Sequence, residues 1–204
     1  MATNPIDKSE EIILGSGELF LLEYSGEIPE DKTIETDENR AGNIKGGASM
    51  EYTISSLTVE SDNGRVKKTI LTKEDVKFKT GLITWVENWF RALIPTARVD
   101  KTSKTGHRVI KLGGLSNQNH IKWLYRFVHT RDDGRKLRIT VTGKNVGTVS
   151  LKFDTENPTT VDAEVAAENL DGEGTLVVYD DELPASSAEP AAQNPAESGA
   201  QTAE

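Results

Sequence analysis

Residues 148–183 read TVSLKFDTENPTTVDAEVAAENLDGEGTLVVYDDEL, and the alternation within this stretch decides the fold class. Val149, Leu151 and Phe153 are separated by polar residues, and Val161, Ala163 and Val165 repeat the pattern. A period of two puts apolar side chains on one face of an extended chain and polar ones on the other, which predicts half-buried strands. A short apolar strand at 176–178 follows, then Tyr179 and a run of acids. The pair Asp180-Asp181 is expected to be solvated at the strand end, as is Asp132-Asp133 at a turn.

The same reading extends upstream. Residues 18–24 (ELFLLEY) form a dense first strand, and 25–44 are acidic and without period, so a long loop is expected there. An arm of a long hairpin runs over 48–60. Met50, Tyr52 and Ile54 share one face of it, whereas Leu57 and Val59 fall on the other. The phase slips at Ser55-Ser56, which predicts a bulge. Asp62-Asn63-Gly64 predicts a type I′ turn, the return arm covers 65–71, and a strand around 76–78 continues it.

One helix is expected at about 83–94. Thr84 and Glu87 form a capping box, Trp85, Trp89 and Leu93 recur at i, i+4 and i+8 beside Val86 and Phe90, and Pro95 stops the helix. The tryptophans read as a plug over a sheet rather than a stacking platform. A basic polar loop (98–105), a strand (108–112) and a Gly113-Gly114 break follow. A second hairpin alternates Ile121, Trp123, Tyr125 and Phe127 with Lys122 and Arg126, turns at Asp133-Gly134, and returns through Leu137, Ile139 and Val141. Together these elements predict a mainly β fold: an antiparallel sandwich or barrel with one flanking helix.

The 204 residues carry a net charge of −9. That acidity argues against adhesion to nucleic acid, which needs clustered Lys and Arg. Arg131, Arg135, Lys136 and Arg138 form a local cluster, read as a solvated hairpin turn. With no cysteine, disulfides and thiolate metal sites are excluded. Residues 1–17 are expected to be an arm with no signal-like apolar run, 18–183 the folded domain, and 184–204 (PASSAEPAAQNPAESGAQTAE) a disordered tail without a single branched aliphatic or aromatic residue. A soluble protein made in the cytoplasm is expected, with no membrane partner.

Motifs that carry chemistry are scarce in the sequence. His107, His120 and His129 are scattered without ligand spacing, and no nucleophile elbow or zinc-binding helix motif occurs. Residues 143–148 (GKNVGT) lack the spacing of a phosphate-binding loop. No catalytic, cofactor-binding or metal-ligating residue is assigned, no cofactor is expected, and the expectation is a non-enzyme.

The segment GGASMEYTISSLTVESDNGRVKKTILTKEDVKFKTGLITW, the hairpin ending LRITVTGKN, and then VSLKFDTENPTTVDAEVAA and GTLVVYDDE together resemble major tail (tail tube) proteins of long-tailed bacteriophages and prophages of Gram-positive hosts. The resemblance covers roughly residues 10–181 through the order of elements rather than a short motif. It implies a virion protein that self-assembles into homohexameric rings stacked as a hollow tube, the conduit for DNA ejection. The other partners it implies are a tape measure, a tail terminator and a distal tail protein, and the DNA passes without specific binding. By position, residues 1–17 and 25–44 would make ring-to-ring contacts. The polar faces of the two hairpins and the acids are expected to line the lumen. Lys67, Lys68, Lys122 and Arg126 either dilute that charge or pair with a neighbour. Two alternatives remain: a carbohydrate-binding or adhesin-like module stacking sugar on Trp85, Trp89 or Trp123, and the inner tube of a contractile injection device.

Overall fold

The computed structural model describes residues 16–42, 44–82, 87–102, 104–150 and 161–183. The fold is mainly β and antiparallel throughout, with a helix flanking the sheet. In chain order the elements are β1 (Glu18–Glu23), α1 (Asp31–Ile34), β2 (Ile44–Glu60), β3 (Lys67–Leu82), α2 (Glu87–Leu93), β4 (Arg98–Asp100), β5 (Val109–Lys111), β6 (Trp123–Thr130), β7 (Lys136–Asn145), β8 (Val161–Glu168) and β9 (Val177–Asp181). Seven strands form one sheet in the order β1-β6-β7-β8-β3-β2, and β9 also pairs with β7. β4 and β5 form a separate two-stranded ribbon.

The sheet forks at β7. Leu137 to Val141 pair with β9, and Thr142 to Asn145 pair with β8. Gly143 permits the closest approach, because a Cβ there would lie 2.0 Å from the Ala166 carbonyl oxygen. The main core lies on one face. Leu19 and Leu21 of β1, Val76 and Phe78 of β3, Trp123 and Tyr125 of β6, Val141, Val165, and Trp89 and Leu93 of α2 are all buried there. A smaller cluster, Phe20, Ile34, Leu124 and Val128, sits on the opposite face. β6 is therefore buried on both faces, which is why its apolar content is nearly continuous rather than alternating.

Several expectations need correction. The loop expected over 25–44 contains one helical turn, α1, and gives its last residue to β2. That segment also covers the β1 edge: the Leu21 amide donates to Asn39 O at 2.8 Å and the Ala41 amide to Leu19 O at 2.7 Å. The basic stretch after 98 is a strand at Arg98–Asp100 because β5 pairs with it, although a three-residue strand carries no readable period. Of the expected helix, residues 87–93 are helical, while Trp85, Val86 and the Thr84 cap lie outside the described residues. The 151–160 part of the closing stretch, the arm up to residue 15 and the tail 184–204 also lie outside them.

Candidate assembly surface

β2 and β3 form the longest hairpin, of 17 and 16 residues. Among the described residues, only Lys77 to Leu82 of β3 have a second neighbour, β8. Beyond that root, about 30 Å of two-stranded ribbon extends with no further strand beside it among the described residues, at roughly 3.3 Å per residue. The root is anchored in the core through Val76, Phe78 and Leu82. β3 runs without a break over 67–82, so the strand expected around 76–78 does continue the return arm.

The phase slip is a bulge, as expected. Ser55 pairs with Lys73 and Ser56 with Leu71, so Thr72 is the extra residue and lies on β3. Its hydroxyl donates to Ser55 O at 3.2 Å. The turn differs from the expected type I′. Gly64 alone among its residues has positive φ (69°), and its amide donates to Ser61 O at 2.7 Å. That is a type I turn closed by a left-handed glycine. Asn63 favours it by accepting from the Arg65 amide (3.1 Å) and the Ser61 hydroxyl (2.7 Å).

The proximal ribbon divides its faces by alternation. One side carries Met50, Tyr52 and Ile54 opposite Phe78, Val76 and Glu74. The other carries an ion-pair ladder: Lys79 to Glu51 at 2.8 Å, Lys77 to Glu164 at 2.7 Å and Lys73 to Asp75 at 2.6 Å. The hydrogen bond from Lys77 lowers the Glu164 carboxyl below its usual range and is the main cause of the raised Lys77. Such exposed pairs fix register more than they stabilise.

Exposure singles out this hairpin. Eight of the fourteen large apolar residues that are exposed among those described lie on it, from Met50 to Leu71. Leu57 (51 %) faces Ile70 (45 %), and Val59, Val66 and Leu71 are more exposed still. A lone two-stranded ribbon is marginal in water, and a contiguous exposed apolar surface marks an interaction site. β2 and β9 each have one hydrogen-bonded neighbour among the described strands.

The second hairpin, β6–β7, offers no comparable surface, which corrects the expectation of two polar faces. Arg126 and Arg138 are buried, with side chains 5 % and 7 % exposed. Arg126 donates to Asp31 at 2.6 Å, and Arg138 to Glu35 at 2.6 Å and to Glu182 at 2.7 Å. Lys136 reaches Glu35 at 2.5 Å, and Asp180 lies 3.5 Å from Arg138. Arg131 pairs with Asp181 at 2.7 Å. The basic cluster is thus a network that clamps the α1 segment and the end of β9 to the sheet, not a solvated turn. Partial burial is the largest single influence on Asp31 and opposes its charged form, but the hydrogen bond from Arg126 and the charges of Arg126, Arg138 and Lys136 together outweigh it and hold the carboxyl below its usual range. Glu182 is lowered chiefly by the Lys136 amide, then by Arg138.

Trp89 and Trp123 are each 2 % exposed, and Trp89 packs against Tyr125 with ring centroids 6.1 Å apart. Both are core residues and cannot stack a sugar, while Trp85 lies outside the described residues. His129 is buried and its Nδ1–H donates to Ser16 O at 2.7 Å, whereas His107 and His120 are exposed. No group of three potential metal ligands occurs among the described residues. An open groove of about 510 Å³ lies between β2, β3 and β8, and its charged lining includes Lys79 and Glu164, which already belong to the ladder. No helix among the described residues is long and apolar enough to cross a membrane. Comparison of the chain with models of known protein families and with curated proteins finds no match.

Proposed function

We propose that this chain is a structural subunit of a phage tail tube, forming rings that stack into a conduit for DNA. The observation that carries the reading is the β2–β3 ribbon, with its apolar side chains exposed beyond the bulge. In a closed ring a protruding ribbon gains the neighbours it lacks alone, and edge strands such as β2 and β9 are blunted by a second copy. The ion-pair ladder leaves the proximal ribbon polar on one side, which suits a wall facing solvent or passing DNA. A negative overall charge keeps DNA from adhering. Burial of Trp89 and Trp123 removes two of the three platforms on which the sugar-binding alternative rested.

Sedimentation velocity across a concentration series tests the proposal. The expected result is a concentration-dependent shift from monomer to rings and larger polymers. A single monomer boundary at every concentration overturns it.

A further inference from the structure

Two segments packed on opposite faces of the sheet carry opposite net charge. On the face of the smaller cluster, the strap around α1 (residues 27–38) holds six Asp or Glu against one Lys. Asp31 and Glu35 are used internally. Glu27, Glu30, Asp37 and Glu38 are exposed and make no ion pair among the described residues, and Ile28 is exposed beside them.

The α2 face carries the reverse. Residues 98–111 hold five Lys or Arg against one Asp. They belong to the β4–β5 lobe, tied to the end of α2 by the Asn119 side-chain amide donating to Arg91 O at 3.0 Å and the Asn119 amide donating to Pro95 O at 2.9 Å. Lys104 and Arg108 are exposed and make no ion pair among the described residues. Leu112 and Leu115 beside them are 51 % and 93 % exposed.

Ile34 packs into the small cluster and Trp89 and Leu93 into the main core, so strap and lobe lie on opposite sides of the sheet. They cannot satisfy one another within one chain. We propose that the basic β4–β5 lobe of one subunit docks on the acidic α1 strap of a second copy, with Leu112 and Leu115 meeting Ile28. Complementary patches on opposite faces form a heterologous contact, which can repeat from copy to copy. This inference rests on the tube-subunit reading, and it assigns the contact that stacks rings rather than the one that closes them.

The test uses the full chain in three forms besides the unmodified one: K104E/R108E, E27K/E38K, and the four substitutions combined. All four residues are exposed, and matching thermal melts establish that the variants fold. Each double variant is expected to keep rings but lose sedimenting stacks, and the combined variant to regain them. Added salt should dissolve stacks of the unmodified chain, because exposed pairs are screened. Stacks that persist in both double variants, or a folded combined variant that does not stack, overturn this inference and leave the ring reading intact. An unmodified chain that stays monomeric overturns both.

Discussion

Leu57 and Ile70 face each other on the distal ribbon, 51 % and 45 % exposed, and replacing both by Ala separates the stability of the subunit from that of the assembly. Full burial of such a side chain is worth about 1.5–3 kcal/mol, and about half of each surface is already covered in the monomer. Allowing for the methyl that Ala retains, the monomer should lose about 1–2 kcal/mol for the pair. That corresponds to a melting shift of roughly 2–8 °C for a domain of this size. If assembly covers the remaining surface, a further 1–2 kcal/mol per subunit is lost there, a factor of about 5–30 in the concentration needed to polymerise. Pelleting across a dilution series reads that concentration, and a thermal melt at low concentration reads the monomer. An unchanged polymerisation threshold would show that the ribbon is not an assembly surface. A monomer loss above about 4 kcal/mol, the scale of a fully buried truncation, would show that it is packed within the subunit.

Trp89→Ala removes a core side chain that is 2 % exposed and should cost about 3–5 kcal/mol, read by denaturant unfolding; a loss under about 1 kcal/mol contradicts its place in the core. Gly143→Ala puts a Cβ 2.0 Å from the Ala166 carbonyl oxygen, so β7 and β8 must separate. The cost should be about 3 kcal/mol, and a neutral result on the same unfolding curve refutes that close approach. Asp31 and Glu182 are held below their ordinary ranges, so their contribution is fully present above the unfolded value of about 4 and is lost as pH falls through the lower folded values. The protection of the Leu21 and Ala41 amides, measured as exchange relative to an unstructured chain at the same pH, should therefore fall below about pH 4 but hold between pH 5 and 7; a fall in the higher window contradicts the clamp.

Legibility followed the range of the interactions. The mainly β fold was readable because alternation is local. The bulge was readable at Ser55-Ser56, where the apolar residues pass from the face of Met50, Tyr52 and Ile54 to that of Leu57 and Val59, although the extra residue that realigns the pairing, Thr72, lies on the partner strand. The turn type was not, because Asn63 stabilises a different geometry with its own side chain. α1 was hidden since a single turn anchored by Ile34 has no period. The burial of Arg126 and Arg138 was hidden for a different reason. Their partners Asp31 and Glu35 lie 95 and 103 residues away, so no spacing marks them and their alternation with apolar residues mimics a wet strand face. The same concealment made two hairpins look equivalent, although only β2–β3 protrudes.

The central claim is that this chain completes its surface with copies of itself. Negative-stain electron microscopy of the concentrated full chain tests it most directly. The account predicts rings of uniform diameter and, where they stack, hollow tubes of the same width. A field of single, uniform, ring-free particles at concentrations where the ribbon should be saturated would contradict it.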